Sequence, residues 1–219
     1  MTQYASRKAR KAATRAELKS AALGRFAEFG VADTSIAMIT QAAGVAHGTF
    51  YVHFSSKDEL VSEFACDFNQ GLLQVWQPMV MHAEQALPTL LHGLCDAYFQ
   101  YWSQRRQFVA VYLHRYAFGT PLERGGTNRA GSVGAWLEQG LSRAAHVLGG
   151  TQPEVAVVRH ALCQIWLRTG LQLLRSGASE RESARRTLVA MTCGALEAAL
   201  PGVSSLSPHQ IRALAGTVG

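Results

Sequence analysis

The chain has 219 residues, of which 48% are hydrophobic and 16% are charged. This composition excludes a disordered tail, because the chain carries enough apolar side chains to bury a sizeable core. The net charge of +6 is local: residues 1–25 hold seven Lys or Arg and one acidic residue, whereas the rest holds 14 basic and 14 acidic residues. We predict that residues 1–11 form a flexible basic arm. A basic N-terminal segment of this kind commonly meets phosphate, either in nucleic acid or on a membrane surface. The alternative is a solvated tail without a partner.

The sequence favours the cytoplasm as the location of the protein. The basic N-terminus is not followed by an apolar stretch, so no signal peptide is predicted. No run approaches the roughly 18 apolar residues of a membrane helix, and we expect no membrane partner. The four cysteines are far apart and include no C-x-x-C pair, which favours free thiols over a disulfide framework or a zinc site. We expect no metal and no other cofactor.

Helical periodicity extends over most of the chain and strand signals are almost absent, so the predicted fold class is all-α. The first helix is predicted to begin at a capping box, Thr14-Arg-Ala-Glu17, and to end at Gly30. Two short helices are predicted next, over 36–43 with Ser35 as N-cap, and over 46–53.

A second capping box, Ser56-Lys-Asp-Glu59, predicts a long fourth helix that Pro78 ends or bends. Further along, Gly and Pro breaks separate the remaining helices. These are predicted over 88–104, 107–118, 132–148, 153–176 and 180–200. The tail 203–219 is small and polar, with a short helix near 208–215.

Segment 35–54 carries the strongest functional signal. Its two short helices are joined by a tight turn at Gly44, and the second begins with small polar residues that suit the major groove of DNA. The polar residues expected to face outward are His47, Gly48, Thr49, Tyr51 and His53. A cation in the first turn of a helix, as at Lys57, interacts unfavourably with the helix dipole. A phosphate group bound close by would offset this effect. The alternative is the polar surface of a plain helical domain.

This part of the sequence resembles the N-terminal domain of the TetR family of bacterial transcriptional repressors. The matching residues are Phe26–Gly30, Thr34-Ser35, Ile39, Ala42–Val45, Gly48–Tyr51, Phe54 and Ser56–Leu60. The resemblance covers residues 14–62 and implies a three-helix helix-turn-helix DNA-binding domain over 12–60, followed by a larger helical effector-binding and dimerisation domain over 61–202. Carried over by position, it places at the DNA Ser35, Ala46, His47, Gly48, Thr49, Tyr51, His53 and Lys57. The sequence departs from the family at Ala46, which lacks the usual capping hydroxyl, and at Met38, which replaces a usual acid.

The last two long helices carry apolar residues on two faces each. One face can meet the core and the other a second copy, as a four-helix bundle across a two-fold axis. The candidate interface residues are Val155, Leu162, Ile165, Leu173, Leu188, Met191, Ala195 and Leu196. The alternative is that both faces lie inside one monomer.

The middle of the chain is unusually aromatic. The resemblance implies an effector pocket in this half, and an aromatic wall suits a flat or apolar small molecule. The candidate ligand-binding residues are Tyr98, Trp102, Phe108, Tyr112, Tyr116, Trp136 and Trp166. For each of them the alternative is plain core.

The sequence therefore predicts a homodimeric repressor that binds a palindromic double-stranded operator and is released by a small, largely apolar or aromatic effector. A transcriptional activator or a redox-responsive regulator of the same fold is the alternative. An enzyme is disfavoured, because no H-E-x-x-H, G-x-S-x-G, phosphate-loop or dinucleotide motif occurs. A non-specific nucleic-acid binder driven by the basic arm is a third class.

Overall fold

A computed structural model describes residues 2–108, 111, 133–149, 152–173 and 177–215, and it contains no strand among them. The predicted all-α fold class is confirmed. The helices are α1 (Thr2–Asp33), α2 (Ile36–Ala42), α3 (His47–His53), α4 (Lys57–Met81), α5 (Leu87–Gln104), α6 (Val133–Leu148), α7 (Gln152–Leu173), α8 (Ala178–Ala199) and α9 (Pro208–Ala215), with a 3-10 turn at Val203–Ser205 before α9. Residues 106–108 and 111 are also helical.

The start of α1 and the end of α4 differ from the sequence predictions. Helix α1 begins at Thr2 instead of Thr14, so residues 2–11 are its first turns and not an arm separate from it. The capping box at Thr14 is a local signal, and the good helix formers before it, mostly Ala, Lys and Arg, extend the helix past it. Helix α4 continues through Pro78 to Met81, so Pro78 lies in its last turn without ending it.

The predicted break at Gly30 is confirmed as an interruption within α1. Gly30 has φ 79° and ψ 164°, a backbone conformation that side chains rarely adopt. The hydroxyl of Thr34 donates to the carbonyl of Gly30 at 2.6 Å and lies 3.2 Å from that of Arg25. These bonds satisfy carbonyls that the interruption frees, and they fix the entry into α2.

The described residues fall into two compact units. The N-terminal unit contains the chain up to Phe68 together with residues 105–108 and 111. It is larger than the predicted domain 12–60, because the first part of α4 and the segment after α5 pack with the helix-turn-helix. Its core places the apolar stripe of α1 against α2, α3 and α4. The fully buried members are Leu18, Ala22, Phe26, Ile39, Phe50 and Leu60.

The C-terminal unit contains residues 69–104 and the described residues from 133 onward. Helix α7 packs against α6 and α8, and α5 packs against α8. Close approach of α5 to α7 depends on Gly170, because a Cβ there would lie 2.6 Å from the hydroxyl oxygen of Tyr98. The same hydroxyl donates to the carbonyl of Trp166 at 2.9 Å, which fixes the two helices in register.

Candidate DNA-binding surface

The turn between α2 and α3 has the geometry that the sequence predicts. Ser35 is the N-cap of α2, and its hydroxyl accepts a hydrogen bond from the backbone N–H of Met38 at 3.2 Å. Gly44 has φ +66°, which allows the chain to reverse direction, and Val45 N–H donates to the carbonyl of Thr40 at 3.0 Å. Ala46 caps α3 without a side-chain hydrogen bond, as its missing hydroxyl predicts.

Two phenylalanines anchor α3 and thereby decide which of its faces points outward. Phe50 is 0% exposed and Phe54 is 1% exposed, and their rings are 5.5 Å apart. The opposite face carries His47, Gly48 and Tyr51, all of which are exposed. This face of a short helix is therefore open to a large ligand.

Val52 is a residue of the outward face that the sequence reasoning missed. Its side chain is 63% exposed, more than the 54% of Tyr51. The helical period could have predicted the exposure of Val52, because positions 47, 48, 51 and 52 lie on one face of a helix. Thr49 and His53 flank this face and are half-buried.

Tyr51 is held by two aromatic neighbours. The ring of His47 lies 5.8 Å from it at an interplanar angle of 70°, and the ring of Phe50 lies 5.5 Å from it at 82°. Edge-to-face contacts of this kind restrict the ring. The Tyr51 hydroxyl is therefore presented from a fixed position on the exposed face.

Lys57 corrects the expectation that it serves as a free cation for phosphate. Its ammonium group donates to the carbonyls of Val31 at 2.7 Å, Thr34 at 2.8 Å and Ala32 at 3.1 Å. The carbonyls of Val31 and Ala32 lie in the last turn of α1, after the interruption at Gly30, and that of Thr34 directly follows the helix. A positive charge is favoured at such a C-terminal end. The positive charge of Lys57 is unfavourable at the N-terminal end of α4 and favourable at the C-terminal end of α1. The sequence around Lys57 does not show that the end of α1 lies close to it.

The start of α4 is capped by two serines. Ser56 accepts a hydrogen bond from the N–H of Glu59 at 3.1 Å, which confirms one half of the predicted capping box. In the other half, the Glu59 carboxylate accepts from the N–H and the hydroxyl of Ser55, both at 2.6 Å, and not from Ser56. These bonds lower the pKa of Glu59.

Ion pairs tie α1 to α4 beside α3. Glu63 accepts from the guanidinium of Arg15 and, at 2.8 Å, from the ammonium of Lys19, which also pairs with Asp67. Burial acts to raise the pKa of Glu63, but the two hydrogen bonds outweigh it and the pKa is lowered. The guanidinium of Arg15 also lies 4.6 Å from the centre of the Phe54 ring. This contact fixes the position of Arg15 relative to α3.

His53, at the end of α3, is a neighbour of the exposed residues of this helix. Burial lowers the pKa of its imidazole, and the positive charges of Lys11 and Arg15 lower it further. Its Nδ1 atom is buried and has no hydrogen-bond partner among the described residues. At pH 7 this side chain carries little positive charge to attract phosphate.

The aromatic candidates divide between the two units. Tyr98, Trp136 and Trp166 surround Trp76, with ring centres 5.9, 6.2 and 5.3 Å from it. Trp76 was missed by the sequence reasoning, although it continues the i, i+4 stripe of α4 from Leu72. We call these four residues the aromatic cluster.

Hydrogen bonds inside the C-terminal unit use the polar atoms of the aromatic cluster. The indole N–H of Trp76 donates to the carbonyl of Leu94 at 3.0 Å, and that of Trp166 donates to the hydroxyl of Thr192 at 2.9 Å. Trp102 is 1% exposed beside Tyr98, with ring centres 5.5 Å apart.

Phe108 corrects its assignment as a ligand-binding residue of the C-terminal unit. It lies in the N-terminal unit, 5.7 Å from Phe64 and 6.2 Å from Phe68 between ring centres. The chain returns to the N-terminal unit after α5, and periodicity does not show this return. Tyr112 and Tyr116 lie outside the described residues.

Half of the predicted dimer-interface residues are core residues of the chain itself. Val155, Leu162, Leu188 and Leu196 are buried, because α7 and α8 pack on each other and on α5 and α6. The two apolar faces of each helix look alike in the sequence, and periodicity does not show which one turns inward.

The remaining interface candidates differ in exposure. Met191 is 49% exposed, whereas Ile165 and Ala195 are half-buried. The side chain of Leu173 lies outside the described residues. The outward stripe of α8 consists of Thr187, Ala190, Met191, Gly194 and Ala198. We call these five residues the α8 stripe.

Comparison with known proteins identifies the helix-turn-helix. Residues 18–64 match the model of the bacterial regulatory proteins, tetR family. The N-terminal part of this chain is therefore similar to proteins of the tetR family. Over 101 residues it is 34% identical to the HTH-type transcriptional repressor KstR2 of Mycolicibacterium smegmatis, covering 46% of this chain and 49% of that protein. The chain thus matches about half the length of the curated relatives it resembles.

Solved structures of TetR-family proteins share the fold. A putative regulator from Shewanella sp. PV-4 has a TM-score of 0.67 at 18% identity, covering 83% of this chain and 97% of that chain. RolR, crystallised with resorcinol, has a TM-score of 0.51 at 16% identity, covering 95% of this chain and 96% of that chain. TetR-family proteins are transcription regulators, in agreement with the prediction that the chain is not an enzyme. Among the described residues, no helix is long and apolar enough to cross a membrane.

Proposed function

We propose that this chain is a homodimeric transcriptional repressor of the TetR family that reads a palindromic operator with α3. One observation carries the proposal: burial of Phe50 and Phe54 turns a face with exposed His47, Tyr51 and Val52 outward from the N-terminal unit. An exposed short helix in a helix-turn-helix is the element that enters the major groove.

The side chains of this face suit base and backbone contacts. The imidazole of His47 can hydrogen-bond the acceptor edge of a purine, and the exposed methyl groups of Val52 suit the methyl group of thymine. Gly48 allows the backbone to come close, and the hydroxyls of Thr49 and Tyr51 suit phosphate oxygens. Ser35, at the N-cap of α2, and Ala46, before α3, belong to the same proposed surface.

A second copy is proposed to pack on the α8 stripe. A single short helix reads few bases, and two-fold symmetry doubles the contact. The α8 stripe consists of small side chains around one large apolar side chain, Met191, so that two helices can approach closely. Val157 on α7, which is 69% exposed, adds apolar surface. The stripe replaces the four buried residues of the original interface prediction.

The effector is proposed to bind beside the aromatic cluster in the C-terminal unit. Aromatic walls suit a small, largely apolar or aromatic ligand, and RolR, which shares the fold, was crystallised with the aromatic compound resorcinol. The effector would release the operator by binding the DNA-free conformation more tightly than the DNA-bound one. The cysteines support a redox role less well, since burial raises the pKa of Cys95 to about 12 and also raises that of Cys163.

Selection from randomised duplex DNA tests the proposal. The purified chain is first unfolded and refolded to remove bound ligand, and its helicity is checked. We expect a palindromic motif whose half-site spacing reports the distance between two α3 helices. The matched control is the double variant His47→Ala/Tyr51→Ala, which alters only exposed side chains and should enrich no motif. Recovery of no motif by the refolded, dimeric chain would contradict the proposed function.

A further inference from the structure

Four cations at the start of α1 have no acidic partner. Arg7, Lys8, Arg10 and Lys11 are exposed, and none forms an ion pair with any residue in the part of the chain that the structure describes. We call these four residues the basic extension. They precede the region that matches the family model, which begins at residue 18.

The later cations of α1 are compensated by acids of the same unit. Arg15 and Lys19 both bind Glu63, and Arg25 pairs with Glu28 at 3.0 Å. The structure therefore separates the local positive charge of the sequence into two groups. The group from Arg15 onward serves the fold, and the basic extension is left with an uncompensated positive field.

The basic extension begins beside the end of α3. The guanidinium of Arg15 lies 4.6 Å from the centre of the ring of Phe54, which caps α3. Lys11 and Arg7 precede Arg15 by four and eight residues, so they share its face of the helix and lie about 6 and 12 Å further along the axis of α1. Lys11 is close enough to lower the pKa of His53, on which burial has the larger effect.

Duplex DNA fits this arrangement by charge and by spacing. Phosphates follow each other every 3.4 Å or so along the axis of one strand, so the roughly 6 Å between Lys11 and Arg7 spans about two phosphates. Lys8 and Arg10 widen the positive surface on either side. Exposed Lys and Arg beside a DNA-reading helix are the groups that bind the backbone and fix the register of the protein.

We propose that the basic extension is a helical phosphate-binding element, which contacts the DNA backbone immediately outside the bases read by α3. The contact is independent of sequence and extends the footprint of each protomer beyond its half-site. This inference rests on the proposed function in one respect, that α3 lies in the major groove. It differs from a flexible arm, because the contacts keep the spacing of a helix.

The first test measures the number of ions that are released when the protein binds DNA. The neutralised variant is Arg7→Gln/Lys8→Gln/Arg10→Gln/Lys11→Gln, and Gln retains helix propensity. The matched control, Arg7→Lys/Lys8→Arg/Arg10→Lys/Lys11→Arg, keeps every charge. Each phosphate contact contributes about −0.9 to the slope of log affinity against log salt concentration. Two contacts in each protomer of a dimer predict a slope shallower by about 3.6 for the neutralised variant, and an unchanged slope for the control.

The second test uses the length of the DNA. The selected operator is prepared with its ends at the half-sites and with ten added base pairs on each side. Wild-type affinity should rise at least about tenfold with the added flanks, because more phosphates come within reach. The neutralised variant should gain much less, and the charge-keeping control should behave as wild type.

Both tests are run on the operator and on a scrambled duplex of equal length. The inference would be overturned if the neutralised variant had the same salt slope as the wild type on both duplexes. It would also be overturned if the added flanks raised the affinity of the neutralised variant as much as that of the wild type. A wild-type chain without operator preference, but with the slope difference intact on the scrambled duplex, would overturn the proposed function. The phosphate-binding role of the basic extension would still be supported, but not its place beside bases read by α3.

Discussion

The ammonium nitrogen of Lys57 lies 2.7 Å from the carbonyl oxygen of Val31, and the bond joins the first turn of α4 to the last turn of α1. Two further carbonyls, those of Ala32 and Thr34, accept from the same group. Lys57 thereby connects the helices on either side of α2 and α3. It positions α3, the proposed DNA-reading helix, through the fold of the N-terminal unit.

Lys57→Met is expected to lower the free energy of unfolding by about 2 kcal/mol, because three carbonyls lose charge-assisted donors. Chemical denaturation followed by circular dichroism measures the change. Lys8→Met is the control, since it removes an exposed cation that forms no ion pair with any described residue, and it should leave stability nearly unchanged. A Lys57→Met variant with wild-type stability and weak DNA binding would instead identify Lys57 as a phosphate ligand.

Val52→Ala is expected to weaken operator binding about fivefold, the loss of about 1 kcal/mol from an apolar contact to a base. Stability should not change, because Val52 is 63% exposed. Fluorescence anisotropy with the selected operator measures the affinity. Val147→Ala removes the same atoms from a side chain that is 58% exposed on α6, and it should bind as wild type. Equal affinities of the two variants would place Val52 outside the interface.

Glu63→Gln is expected to destabilise the chain in a pH-dependent manner. The pKa of Glu63 in the folded chain is below its usual value of 4.5, so its ion pairs stabilise the fold above about pH 4.5. This stabilisation is lost as the pH falls through the folded pKa. We expect Glu63→Gln to lower the free energy of unfolding by about 1–2 kcal/mol at pH 7, a value between those of exposed and buried ion pairs. This difference should become smaller towards pH 3.

Urea denaturation at pH 7, 5 and 3 measures the stability difference between wild type and Glu63→Gln. Glu17→Gln, an exposed acid on α1, is the control and should show little difference at any pH. A loss for Glu63→Gln that stays constant from pH 7 to pH 3 would show that packing and not charge is responsible.

Met191→Glu is expected to convert the dimer to a monomer, because it places two negative charges across the two-fold contact of the α8 stripe. Light scattering with size-exclusion chromatography measures the mass. Val147→Glu introduces the same charge at an exposed apolar residue outside the α8 stripe, and it should leave the dimer intact. A dimeric Met191→Glu variant would refute the α8 stripe as the interface.

The sequence by itself determined those structural features that depend on residues close together in the chain. Capping residues, glycines and apolar spacing predict the helices, and Ser35, Gly44 and Phe50 predict the helix-turn-helix, because these signals act within a few residues of one another. The exposed face of α3 follows in the same way, apart from Val52.

Only the tertiary structure decided which partners distant residues find. Lys57 caps α1, Phe108 packs in the N-terminal unit, and Leu188 lies inside the chain whereas Met191 lies outside. In each case the deciding contact joins segments far apart in sequence, and the local pattern is compatible with either outcome. The same reason applies to the basic extension. Its charges are visible in the sequence, but only the packed N-terminal unit shows that they have no acidic partners among the described residues.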